Sequence, residues 1–218
     1  MKQHIAFDLA FRKNPYPGKF IVIEGIDGSG KSTQIKVLAE KLQAAGKKVV
    51  TTKEPTDMVI GKFVREEILS GKTKIPPIAL QYLFNADRVM HLEEIESLLK
   101  NGTTVLMDRY FWSSVAYAIA DLQVDLDWSL TAFSILSFYN QFLLPDFSFL
   151  LQLSADEALF RIEETGKKTE IYETQEKLSK IEKSYSLLQQ KFPEEFIVID
   201  AKQEKAKITE EMLAKIQL

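Results

Sequence analysis

Two periodicities alternate along the chain. The run "KFIVIEG" is short, apolar and rich in β-branched residues, and it stops at a glycine, as a buried strand does. In "KSTQIKVLAEKLQAAG" the period changes: Ile35, Leu38, Ala39 and Leu42 share one helical face, and Gly46 closes it. "KVVTT" predicts a second strand, "IGKFVREEILSG" a helix ending in glycine, and "IPPIALQYLFNADRVMHLEEIESLLKNG" a long helix with prolines in its opening turn. A third strand, "TVLMD", follows. Beyond it, "WSSVAYAIADL" and "DWSLTAFSILSFYNQFLL" read as helices, "FSFLLQL" as a strand and "SADEALFRIEE" as a helix capped by Ser154. "TGKKTEIY" reads as an exposed loop. A helix "ETQEKLSKIEKSYSLLQQKF", a strand "FIVID" and a last helix from about Lys205 complete the chain.

Strands separated by helices predict an α/β fold with a parallel sheet covered on both faces, because parallel pairing requires crossover connections. No repeat or break in composition divides the chain. We expect a surface extension over 1–18, with "NPYPG" leading into one domain over 19–218. At 45% hydrophobic residues the 218-residue chain can build a substantial core. The formal net charge is −3 with both signs interspersed, which argues against the polycationic face of a nucleic-acid partner. Without cysteine there is no disulfide, thiolate metal site or cysteine nucleophile, in keeping with a reducing cytoplasm. No run approaches membrane-spanning length and the opening stretch lacks the apolar core of a secretory signal. A cytoplasmic protein with no membrane partner is the expectation.

Candidate chemistry begins right after the first strand. Gly25-Ile26-Asp27-Gly28-Ser29-Gly30-Lys31-Ser32 fits G-x-x-x-x-G-K-[ST], with a strand before it and a helix after it. Bare positions at Gly25, Gly28 and Gly30 let consecutive N–H groups, Ser29 among them, turn inward around phosphate oxygens, and the helix start adds positive potential. Lys31 supplies a point charge for the β- and γ-phosphates, and the Ser32 hydroxyl is placed to ligate Mg²⁺, with Thr33 beside it. Asp108 ends an apolar strand, where in such sheets the carboxyl edge meets the phosphate loop, so it is a second candidate magnesium ligand. Arg109 next to it is a candidate for neutralising an acceptor phosphate. No guanine-reading N-K-x-D occurs, which points away from a GTPase.

A second pocket is suggested by "QYLFNADRVMH". Phe84 and Arg88 are four apart and share a helical face with Gln81, so a ring able to stack on a nucleobase lies beside a guanidinium able to donate to its carbonyls, although the pair taken alone reads more readily as a core phenylalanine with a solvated arginine. Ser113, Ser114 and Tyr117 follow on a helix whose start faces the same region, and their hydroxyls suit a sugar or a base; capping and packing explain them equally well.

Together "FIVIEGIDGSGKSTQ", "TKEPTD" with "IGKFVRE", "LFNADRVMH" and "LMDRYFWSSVAY" resemble the thymidylate kinase family of P-loop nucleoside monophosphate kinases, in its order and spacing from about Lys19 onward. The resemblance implies a three-layer α/β/α fold with a five-stranded parallel sheet, a small mobile lid over about 161–173, and a homodimer. It implies transfer of a phosphoryl group from Mg-ATP to dTMP, with Lys31 and Ser32 as ATP and magnesium residues and Asp27 near the acceptor's sugar hydroxyl. Phe84 would stack on thymine, Arg88 would meet a thymine carbonyl, Arg109 and Arg65 would reach the dTMP phosphate, and Tyr117 would crowd the 2′ position. Because the nucleophile is already an anion, catalysis would be positioning and charge neutralisation by Lys31, magnesium held with Asp108, Arg109 and a lid cation.

Some positions depart from the family. Lys53 stands where arginine is usual, and loses the bidentate fork. Gly28 stands where one branch has an arginine, so the lid should deliver the cation, yet "RIEETGKKTEIYE" offers only Arg161, Lys167 and Lys168. Ala118 stands where glutamine is frequent. A kinase for another small acceptor, such as dUMP or a deoxynucleoside, and a catalytically silent ATP-binding switch remain as alternatives. A DNA-associated ATPase fits the acidic balance least.

Overall fold

The computed structural model of the chain describes residues 11–121, 128–136, 142–164 and 172–216. The predicted strands appear as β2 (Phe20–Glu24), β3 (Val49–Lys53), β4 (Thr104–Asp108), β6 (Phe147–Gln152) and β7 (Ile197–Asp200). They form one parallel sheet in the order β3-β4-β2-β6-β7, with Val22 opposite both Met107 and Ser148. Every residue of the central strand β2 is buried, as an unbroken apolar run requires when helices cover both faces. Helix α1 (Lys31–Ala44) packs with α8 (Lys205–Ile216) against the sheet. Helices α3 (Pro77–Lys100), α4 (Phe111–Ala120), α5 (Trp128–Leu136) and α7 (Gln175–Lys191) form a connected layer. There Trp112 is enclosed by Phe111, Phe192 and Phe196, with ring centroids 5.0 to 5.1 Å away.

The carboxyl ends of β2, β3 and β4 deliver Gly25, Glu54 and Asp108 to one edge, where a switch in strand order opens a crevice in such sheets. The helix expected from "IGKFVREEILSG" runs as α2 (Val59–Phe63) and then widens into a π-helical turn over Val64–Leu69, which carries Arg65. Helix α6 (Ala155–Glu164) begins after Ser154, whose Oγ accepts from the Glu157 amide.

One expectation needs revision. The helix expected from "DWSLTAFSILSFYNQFLL" does not run to the end of that segment: α5 is described over Trp128–Leu136, and Leu143–Leu144 form a short strand β5. An apolar run does not distinguish buried helix from buried strand, and Pro145 pushes Leu144 out of the helical region. The partner of β5 is β1 (Arg12–Lys13), paired in parallel, so residues 11–17 are fastened to the fold. Phe11 stacks on Phe111 at 6.0 Å and the Tyr16 hydroxyl donates to Glu96 at 2.7 Å. Residues 1–10 and most of the expected lid, 165–171, lie outside the described residues.

Asp146 closes this corner. Its carboxylate accepts from the Phe20 amide at 2.8 Å, Asn14 Nδ2 at 2.7 Å and Lys19 Nζ at 3.4 Å. Asp146→Ala strands a part-buried amide at the start of the central strand. It should lower stability by about 1–3 kcal/mol in urea unfolding with an unchanged m-value; a shift under a few tenths of that would contradict this role.

Candidate active site

The phosphate loop runs from Gly25 to Gly30, between β2 and α1. Gly28 has φ +79°, and a Cβ there would lie 2.4 Å from the Ala158 carbonyl oxygen on α6. That contact is why the arginine of one family branch has no room in this loop. Gly30, at φ +95°, occupies the N-cap of α1, a left-handed position that glycine adopts without strain. Lys31 is buried and donates to the Ile26 carbonyl at 2.8 Å, which curls its ammonium back over the loop. Ser32 Oγ donates to Asp108 Oδ2 at 2.7 Å, while Asp108 Oδ1 is buried with no hydrogen-bond partner among the described residues. A hydroxyl beside a carboxylate with an unused oxygen suits a hard cation that takes its remaining ligands from phosphates and water. Among the described residues no group of three or more His, Cys, Asp or Glu could hold a metal ion, so substrate oxygens would have to complete such a site.

Arg109 is the one non-glycine residue described with a positive φ, 68°. Its backbone N–H donates to Ile23 at 3.1 Å and the next amide, of Tyr110, to Glu24 Oε1 at 3.0 Å, which pins the turn on both sides. The guanidinium so aimed meets Asp27 Oδ1 at 2.5 Å, the Gly25 carbonyl at 3.1 Å and Ser113 Oγ at 3.2 Å. Tyr117 donates to the other Asp27 oxygen at 2.9 Å, and its ring lies 5.0 Å from the Arg109 guanidinium carbon. Burial pushes the Asp27 carboxyl upward, but the charges of Arg109 and Lys31 and the Tyr117 hydrogen bond outweigh it and hold it at about 2. Burial and the neighbouring Arg109 lower Lys31 to about 8, against the pull of Asp27. Burial also works against the charge on Arg109, yet Asp27 opposite keeps it well above its usual value. Glu24 is wholly buried, and burial raises its carboxyl although Ser113, Tyr110 and Tyr185 all donate to it.

Helix α3 supplies the opposite wall of a cleft of about 1010 Å³ that also takes in the loop, Asp108 and Arg109. Phe84 and Arg88 both line it. Arg88 is 2% exposed and sits in an ion pair with Glu54 at 2.6 Å. It also donates to Asn85 at 3.0 Å, Ser114 at 3.1 Å and the Tyr110 carbonyl at 3.3 Å. Arg65 enters from the π-helical turn, held by Asp57 at 2.6 Å and by the Pro55 and Thr56 carbonyls. Lys53 lies on the same cleft. Arg161, at the end of α6, also reaches it while donating to the Ala201 carbonyl at 3.1 Å. Lys167 and Lys168 lie outside the described residues. The cleft thus brings together the candidate residues from Asp27 to Thr33, Arg65, Phe84, Arg88, Asp108, Arg109, Ser113, Ser114, Tyr117 and Arg161. Gly25, although not on its lining, meets Arg109 through its carbonyl.

Several contributors were not singled out from sequence. Glu54, the buried counter-charge of Arg88, stands at the carboxyl end of β3 as Asp108 does at that of β4, and the same strand-end argument applies to it. Glu24 is an acid closing an otherwise apolar strand, a signal of a buried partner. Tyr185 and Tyr172 carry no sequence signal: Tyr185 reaches Glu24 from α7, and Tyr172 packs edge-on against Tyr117 at 4.9 Å while donating to Asp121.

The sequence model of the thymidylate kinase family matches residues 23–212. The probable thymidylate kinase of Thermococcus onnurineus (strain NA1) is 42% identical over 188 residues, covering 82% of this chain and 88% of that protein. That of Thermococcus kodakarensis is 39% identical over 207 residues, covering 91% and 97%. The thymidylate kinase of Exiguobacterium sp. (strain AT1b) is 34% identical over 199 residues, covering 90% and 92%. Among solved structures, that of the thymidylate kinase from Candida albicans superposes with a TM-score of 0.73 at 25% identity, over 92% of this chain and 91% of that one. With a match over most of its length and the phosphate loop, Asp108-Arg109 turn and α3 wall sharing one cleft, the chain belongs to the thymidylate kinase family.

Proposed function

We propose that this kinase transfers the γ-phosphoryl group of Mg-ATP to the 5′-phosphate of dTMP, giving dTDP and ADP. The observation that carries the reading is that one cleft joins the phosphate loop to the Phe84 and Arg88 wall, with Arg109 between them. Backbone amides of the loop and Lys31 bind the β- and γ-phosphates. Ser32 and Asp108 would hold a magnesium ion there, which would supply neutralisation of the charge that develops in transfer. Arg109 shares its donors between Asp27 and the acceptor phosphate, with Arg65 and Lys53 nearby. The phosphate oxygen that attacks is already ionised, so these cations orient it in line and offset repulsion between the two anions. Phe84 stacks on the base, and Tyr117, fixed by Asp27, packs where a 2′-hydroxyl would project. Arg161, at the base of the expected lid, faces the donor phosphates.

Among the described residues no helix is long and apolar enough to cross a membrane. The reading puts the enzyme in the cytoplasm, where ATP and dTMP occur. It acts there as a homodimer, for which Val59 and Phe63 on α2 and Tyr82, Val89 and Met90 on α3 leave an exposed apolar face. Light scattering of the purified chain should give twice 24.9 kDa; a strictly monomeric mass would remove the dimer.

ADP release with ATP, magnesium and a panel of monophosphates should be fastest with dTMP, and negligible without an acceptor. Equal rates for dTMP and other monophosphates would overturn the substrate assignment. Lys31→Ala should lower turnover at least about 100-fold with unchanged circular dichroism; retained turnover would remove Lys31 from the mechanism. Lys31 carries its charge below about pH 8 and loses it above, whereas ATP is fully ionised throughout. The ATP dissociation constant should therefore rise roughly five- to tenfold between about pH 7.5 and about pH 9, and a flat profile would contradict the placement of Lys31 on the phosphates.

A further inference from the structure

Gln81, Phe84 and Arg88 occupy one face of α3 at spacings of three and four residues, and all three line the cleft. Their hydrogen-bonding states differ. Arg88 has five N–H groups, and Glu54, Asn85, Ser114 and the Tyr110 carbonyl already take hydrogen bonds from them. Gln81 is the reverse case. It is 0% exposed, yet neither Oε1 nor Nε2 has a hydrogen-bond partner among the described residues. Buried carboxamides are ordinarily paired, and a leucine or methionine would fill the same wall without leaving a donor and an acceptor unmatched.

We propose that the Gln81 carboxamide is a base-reading group, pairing with the N–H and carbonyl edge of a pyrimidine-2,4-dione stacked against Phe84. The inference rests on the reading that this cleft takes dTMP, and it assigns the unused hydrogen-bonding capacity of the wall to Gln81. A carboxamide presents an acceptor oxygen next to an N–H donor, and the N3–H and adjacent carbonyl of such a base present the complementary pair. Arg88, a donor only and bound to Glu54, offers no acceptor for N3–H. It positions the wall, and Gln81 supplies what the wall lacks. Recognition of this kind discriminates strongly, because an analogue without the polar edge leaves the buried amide unmatched.

The test is a binding cycle on the full-length protein, titrating dTMP and its difluorotoluene isostere, which keeps thymine's shape without its hydrogen-bonding groups, into wild type and Gln81→Met in the absence of ATP. The variant should bind dTMP about tenfold more weakly and the isostere within about twofold of wild type. Its ATP affinity should be unchanged and its melting temperature equal or higher. Equal losses for both nucleotides, or no loss for either, would overturn the proposal. Should the variant not fold, the wild-type protein decides: the Gln81 side-chain amide resonances should shift with dTMP and stay in place with the isostere, and identical shifts would overturn it. Turnover is read separately. If dTMP binds but is not phosphorylated, the function assignment fails and the binding cycle still judges Gln81; if dTMP does not bind, both fail.

Discussion

The ion pair between Asp27 and Arg109 is the constraint around which the site is built. Asp27 belongs to the phosphate loop after β2, and Arg109 to the turn after β4, so one 2.5 Å contact ties two neighbouring strand ends across the cleft floor. The contact requires Arg109 to hold a left-handed backbone, which costs a β-carbon residue of order 1–3 kcal/mol. Glu24 and Ile23 offset that by accepting hydrogen bonds from the two amides of the turn. Lys31, 4.0 Å from Asp27, is held in the same field, so two cations lie around one carboxylate. The carboxylate keeps both charged groups near each other until anions share them, and a reaction between two anionic phosphates needs cations gathered beforehand rather than recruited from solvent.

The donor side is coupled to α6 by contact alone. Gly28 lies against the Ala158 carbonyl closely enough that no side chain fits, and three residues further along α6 Arg161 lines the cleft. The loop therefore carries no cation of its own beyond Lys31, and Arg161 on α6 brings a further one to the cleft. On the acceptor side the wall is organised by burial. A guanidinium and a carboxylate taken fully from water, Arg88 and Glu54, hold together because hydrogen bonds surround them, and they give α3 a fixed position relative to β3.

Much of this was legible in the sequence where local chemistry suffices. The buried strands announce themselves as apolar runs, since a central parallel strand has no solvent face, and the phosphate loop is written in glycines that only a left-handed bend explains. Asp108 was legible from its place at a strand end. The segment 127–144 was not, because a continuous apolar run has no period to separate α5 from β5, and the pairing that decides it comes from Arg12–Lys13, far away in the chain. Glu54 could have been found by the same strand-end argument as Asp108, whereas Tyr172 and Tyr185 were illegible. Their roles exist only once the chain around them folds onto α4 and β2, and Gln81 is unusual only through partners it lacks among the described residues.

Arg109, set by Asp27, is proposed to stand between donor and acceptor phosphates in a single cleft. A crystal structure of the ternary complex with dTMP and a non-hydrolysable ATP analogue tests it most directly. An acceptor phosphate oxygen should be hydrogen-bonded to Arg109 and in line with a γ-phosphate held by Lys31. A dTMP phosphate bound away from Arg109, with the two nucleotides in separate sites, would contradict it.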